Sequence, residues 1–164
     1  MHLLRVITSM NPIYGGPPQG IRHVTHALQN RGIKTTVVCL DVPGSTFLEK
    51  DTFPIVALGP TYTQVAYSKK IESYLFKHIL EFDLVIIHGL WQYSSYCTMK
   101  VIRELRRRGI QTPKVYIMPH GMLDPWFQRA PSRRWKALRN EVYWALVERQ
   151  VVNEADGLLF TCQQ

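Results

Sequence analysis

The sequence predicts an α/β fold: a Rossmann-like, doubly wound, mostly parallel sheet with helices on both faces. Three observations carry this expectation. Short apolar runs rich in β-branched residues recur along the 164 residues, among them "LLRVIT", "KTTVVCL", "FDLVIIHG", "KVYIM" and "DGLLFT". Segments with apolar residues at helical spacing separate most of them. Strands divided by helices join through right-handed crossovers, which lay the strands parallel and put helices on both faces.

Taken in order, "LLRVIT" is the first strand, followed by the loop "NPIYGGPPQG" and a helix over "GIRHVTHALQNRG". In that helix Ile21, Val24 and Leu28 recur at helical spacing, the start falls near Gly20 or Ile21, and Gly32 sits where a C-cap belongs. "KTTVVCL" is the second strand and "PIVAL" a short third, with the turn-rich "DVPGSTFLEKDTF" between them as a surface excursion. Ile71, Leu75 and Ile79 mark one face of the next helix. "FDLVIIHG" then reads as a central strand, because a nearly all-apolar run suits burial on both faces. A helix from Trp91 or Ser94 to Arg108 follows; its "RELRRRG" end places arginines at the negative end of the helix dipole, and Gly109 closes it. After "KVYIM" come the irregular loop "PHGMLDPWFQRAP", a long helix over "SRRWKALRNEVYWALVERQVVNEA" with Ser132 as N-cap, and "DGLLFT" as a last strand.

Composition narrows the class without naming a function. Apolar residues make up 46% and charged residues 20%, which fits one soluble domain spanning residues 1–164. The first residues lack the charged start, apolar middle and cleavage site of a signal peptide, and no apolar run approaches the roughly 20 residues that cross a bilayer. A cytoplasmic location is therefore expected. Cys39, Cys97 and Cys162 form no CxxC pair, which suggests neither a disulfide framework nor a zinc site; they read as reduced core residues. The formal charge of +8 calls for an anionic partner.

In an open parallel sheet, ligands bind beyond the carboxyl ends of the strands. Three irregular turns should converge there: "NPIYGGPPQG", "HGLWQY" and "PHGMLDPW". Gly15 and Gly16 can adopt positive φ and expose N–H groups to phosphate oxygens, and the start of the following helix adds its positive dipole end. "GGPPQG" is not GxGxxG, so no NAD is expected. His120, held between Pro119 and Gly121 and followed by Asp124 and Trp126, sits where its ring could donate to a sugar hydroxyl or a phosphate oxygen. His88, followed by Gly89 and Trp91, is either a second such residue or part of a tight turn with an aromatic core plug. No carboxylate or third imidazole accompanies the two histidines at ligand spacing, so no metal is expected. There is no GxSxG elbow, no GxxxxGK[ST] loop and no Cys beside a His.

Together, "YGGPPQGIRHVTHALQNRGIKTTVVCL", "DLVIIHGLWQY", "PHGMLDPWF" and "KALRNEVYWALVERQVVNEADGLLFT" resemble the N-terminal domain of family 4 retaining, nucleotide-sugar-dependent glycosyltransferases of the GT-B architecture. The resemblance spans nearly the whole chain. It implies that Gly15 and Gly16 approach the donor diphosphate, that His120 contacts the donor sugar as the catalytic histidine, and that Asn11, Gln19, His88, Trp91 and Asp124 face the acceptor. It implies no cofactor beyond the nucleotide-sugar substrate. The family's Gly-His after the first helix is Gly32-Ile33 here. The family's nucleotide-binding C-terminal half, with its spaced glutamates, is absent from these 164 residues, so the chain alone is expected to be inactive.

From residue 129 to residue 150, Arg129, Arg133, Arg134, Lys136, Arg139 and Arg149 stand against Glu141 and Glu148, while Trp135, Leu138, Val142 and Leu146 share a helical face. A basic amphipathic helix over 132–150 could touch an anionic membrane from its inner face, and a sugar or lipid-linked acceptor would suit that position. The alternative reading is a non-catalytic α/β module that binds a phosphorylated ligand or nucleic acid. Nucleic acid is disfavoured, because no recognised nucleic-acid module accompanies the charge.

Overall fold

The computed structural model describes residues 1–63, 65–122 and 143–160. Among the described residues six strands form one parallel sheet: β1 (His2–Val6), β2 (Lys34–Cys39), β3 (Ile55–Ala57), β4 (Leu84–His88), β5 (Lys114–Met118) and β6 (Gly157–Leu158). Their order is β3-β2-β1-β4-β5-β6, and every neighbouring pair runs parallel. Registers such as Val6 with Ile87 and His88 with Met118 bring the carboxyl ends of β1, β4 and β5 to one edge. The doubly wound fold expected from the sequence is present, with β4 central.

Side-chain alternation splits the core into two layers. On one face Leu4, Val6, Val38, Val85, Ile87, Val115 and Ile117 pack with Ile71, Leu75, Met99, Ile102 and Val151. These helical residues come from α2 (Lys69–His78), α3 (Tyr93–Arg107) and α4 (Arg149–Glu154). On the other face Val37, Cys39 and Ile7 pack with Ile21 of α1 (Gly16–Gln29) and with Phe53. By the same alternation Arg5, Ile86 and His88 belong to the α1 side of the sheet.

Helix α1 begins at Gly16, four residues before the expected start. Pro17 and Pro18 lie inside its first turn, where a missing N–H costs nothing because that turn's donors have no intrahelical acceptor. Its buried stripe is Pro18, Ile21 and Thr25. Val24, expected in the stripe, is exposed. Gly32 and Gly109 take φ of +74° and +73° after α1 and α3, as C-terminal glycines do. The last long helix was expected over 132–155. Its first part, with Ser132, lies outside the described residues; the remainder is a π-helical stretch, Trp144–Glu148, running into α4. Cys39 and Cys97 are buried free thiols, and Cys162 falls outside the described residues.

Candidate functional site

Strand order places a topological switch point between β1 and β4. From β1 the chain turns to α1 on one face; from β4 it turns to α3 on the other, which opens a crevice between the two connections. The two loops touch where Thr8 Oγ1 lies 3.4 Å from Ser94 Oγ. The loops after β4 and β5 are joined as well, since Leu90 N–H donates to Met122 Sδ at 3.2 Å.

Three side chains meet at this edge. His88, the last residue of β4, is buried. Its Nε2 lies 3.0 Å from Nη1 of Arg5 on β1, and its Nδ1 lies 2.8 Å from Nε2 of His120. The two imidazole centroids are 5.1 Å apart at an interplanar angle of 21°. The nitrogen contact plus the two ring radii accounts for that separation, so the rings meet edge to edge in nearly one plane, as a hydrogen bond between ring nitrogens requires. Burial, then Arg5 and His120, hold the His88 pKa well below its ordinary value. Burial and then Arg5 also lower that of His120. Arg5 is buried in the sheet, and desolvation lowers its pKa to about 10, so it remains a cation at neutral pH.

Backbone geometry around the histidines is unusual. His120 and Trp91 adopt φ of +52° and +64°, a region that costs a non-glycine residue energy and that concentrates where surrounding structure fixes it. For Trp91 the fixing group is Glu148. Its Oε1 accepts the Trp91 N–H at 2.8 Å and the Ser95 hydroxyl at 2.8 Å, while Oε2 is buried with no hydrogen-bond partner among the described residues. Burial raises the Glu148 pKa, opposed by those two hydrogen bonds. The Trp91 indole packs on the core and meets Trp144 at 5.7 Å between ring centroids.

The loop after β1 is pinned by Asp41, which follows β2. Its carboxylate accepts the Ser9 hydroxyl at 2.5 Å and the Met10 N–H at 2.7 Å. Asn11 then caps a 3-10 turn, Pro12–Tyr14, by accepting the Ile13 N–H on Oδ1. Gly15 leaves that turn at φ +74° and its N–H donates to the Pro12 carbonyl. Of the first three helical residues only Gly16 has an N–H, since Pro17 and Pro18 have none. One main-chain donor, not two, is therefore left to a ligand at this tip. Ile13 and Tyr14 stand exposed beside it.

The structure thus brings His88 and His120 into direct contact. Gln19 instead lines a hollow of about 310 Å³ with Pro12, Arg22, His26, Phe47 and Asp51. There Arg22 grips Asp51 through Nε and Nη2 at 2.7 and 2.9 Å. Asp124 and most of the basic segment 129–150 lie outside the described residues. Sequence reasoning missed Arg5 and Glu148. A lone cation inside an apolar strand could have flagged the first; Glu148 entered only as one of two negative charges in the basic segment 129–150, whereas it is fully buried. No group of three His, Cys, Asp or Glu able to hold a metal ion occurs among the described residues.

A family model described as "Glycosyl transferase 4-like domain" matches residues 15–164. The chain belongs to that family. It is a domain of the glycosyltransferase 4-like type. Among curated proteins none matches the chain. Among solved structures, the UDP-GlcNAc 2-epimerase of Methanocaldococcus jannaschii superposes with a TM-score of 0.58 at 15% identity, covering 99% of this chain and 40% of that one. A Listeria monocytogenes protein described as a UDP-N-acetylglucosamine 2-epimerase gives a TM-score of 0.58 at 14% identity, covering 97% of this chain and 38% of that one. At such identities the likeness shows the fold. The chain spans about two fifths of the length of those proteins. No helix among the described residues is long and apolar enough to cross a membrane.

Proposed function

We propose that this glycosyltransferase-type domain forms the acceptor-side wall of an enzyme that moves a sugar from a nucleotide-sugar donor to an acceptor with retention of configuration. The observation that carries the reading is the meeting of His88 and His120 at the switch-point edge of a chain matched by the glycosyl transferase 4-like family. His120 contacts the donor sugar. The N–H of Gly16 and the positive end of α1 face the departing diphosphate, where negative charge builds as the glycosidic bond breaks. Gly15 sets the turn that presents Gly16. His88 acts through His120, because it is buried behind it.

Asn11 shapes the loop with its own cap, while Gln19, Trp91 and Asp124 remain the acceptor-side candidates. In this reading the nucleotide is held mainly across the cleft by a facing half. The 164-residue chain alone binds donor weakly and turns none over, and it needs no metal. A sugar or lipid-linked acceptor, a cytoplasmic location and peripheral contact of segment 132–150 with an anionic membrane complete the proposal.

Equilibrium dialysis with labelled UDP-GlcNAc, UDP-glucose and GDP-mannose tests it. At least one should bind saturably with a Kd of about a millimolar, without release of free sugar. Absence of saturable binding to all three, with tight and salt-sensitive binding of an oligonucleotide, would favour the non-catalytic module instead.

A further inference from the structure

The Arg5–His88–His120 chain has a direction. A guanidinium carries donors and no acceptor, so the 3.0 Å contact from Arg5 Nη1 obliges His88 Nε2 to be bare and to accept. The neutral His88 ring must then carry its proton on Nδ1. That N–H points at His120 Nε2, 2.8 Å away, which must also be bare. The proton of neutral His120 is therefore on Nδ1, which has no partner among the described residues, and the residue itself is only half-buried.

Each alternative breaks a contact. Moving the His120 proton to Nε2 sets two N–H groups against each other across 2.8 Å. Flipping the His88 tautomer to relieve this sets its new Nε2–H against Arg5. A proton added to His120 meets the same obstacle. Among the described residues no carboxylate pairs with Arg5, and its Nε is buried without a partner, so nothing there competes with His88 for the guanidinium.

We propose that Arg5 and His88 are positioning residues that hold His120 as its Nδ1–H tautomer, so that the crevice presents one fixed N–H donor to a hydroxyl or phosphate oxygen of the ligand. Its catalytic consequence rests on the reading of His120 as the group that meets the donor sugar; the tautomers themselves do not. Arg5 thus acts on the ligand through two intermediaries, along a chain that crosses from β1 to β4 to the turn after β5.

Long-range proton–nitrogen correlation on the 164-residue chain, labelled with nitrogen-15 at histidine, reads the tautomers directly at pH 7.5. His88→Gln and His120→Asn assign the signals. In the native chain both Nδ1 atoms should be protonated and both Nε2 atoms bare. Arg5→Met removes the donor and should convert His88 and His120 to tautomer mixtures, whereas Arg5→Lys, which keeps a donor, should preserve the native pattern. A protonated Nε2 on either histidine of the native chain overturns the proposal, and does so even if Arg5→Met fails to fold. Unchanged tautomers in a folded Arg5→Met chain overturn it too. Whichever of UDP-GlcNAc, UDP-glucose and GDP-mannose binds should shift His120 Nδ1; tautomers as stated with no such shift from any of the three would uphold the relay and reject the sugar-nucleotide reading.

Discussion

Glu148 offers a sharp test of how the turn after β4 is held. Replacing it by Ala removes the acceptor of the Trp91 N–H, 2.8 Å away in a fully buried position. An orphaned buried donor costs about 1–3 kcal/mol, and the space left by the carboxyl-bearing arm adds about 1 kcal/mol. Ser95 loses little, because its hydroxyl keeps the Gln92 carbonyl at 2.7 Å. The sum is about 2–4 kcal/mol, or a fall in melting temperature of roughly 5–15 °C for a chain of this size. Glu148→Gln retains the acceptor oxygen and should stay within about 1 kcal/mol of the native chain.

The pH dependence has a definite sign. Burial raises the folded-state pKa of Glu148, so the folded chain holds this proton more tightly than the unfolded one. Its contribution is complete below about pH 4, the ordinary carboxyl range, and is lost as pH rises through the raised value. The native chain should therefore lose stability relative to Glu148→Gln between acid and neutral pH. Urea denaturation at several pH values measures both effects. An Ala variant as stable as the Gln variant, or a difference that grows in favour of the native chain at higher pH, would refute the reasoning.

Other outcomes follow from single features of the fold. Gly15→Ala, at φ +74° and ψ −128°, should cost about 1–3 kcal/mol, whereas Gly16→Ala, with no neighbour within 4 Å of the added Cβ and no positive φ, should not destabilise in the same melts. Burial lowers the pKa of His88 and His120; their stability contribution is complete above about pH 6.5 and is lost as pH falls toward the depressed values. The denaturation midpoint of the native chain should accordingly drop more between pH 7.5 and 5.5 than that of His88→Gln. Burial pushes the thiols of Cys39 and Cys97 up to about 12, so peptide mapping after iodoacetamide at pH 8 should find both unmodified in the folded chain and both alkylated in urea.

How much of this was legible in the sequence differs by element. The fold was, because the strand runs are β-branched and apolar and stripes such as Ile71, Leu75 and Ile79 are strict enough to survive folding. The start of α1 was not, since two consecutive prolines look like a break and only the open first turn of a helix accommodates them. The shared His-Gly pair of two loops, His88-Gly89 and His120-Gly121, was visible. Their contact was not, because it depends on β4 and β5 being neighbours with His88 in register with Met118. Arg5 and Glu148 escaped for the same reason: Arg5 meets His88 across 83 positions, and Glu148 meets Trp91 across 57. No local pattern encodes a partner at that distance.

Where a nucleotide sugar lands on the chain bears most directly on the function assigned to this edge. Backbone amide shifts followed during titration with whichever of UDP-GlcNAc, UDP-glucose and GDP-mannose binds saturably should move most at Gly16, Gly89, His120 and Gly121. Shifts confined to the groove lined by Met99, Ile102, Arg103, Arg107 and Glu154, on the helices that cover the other face, would contradict it.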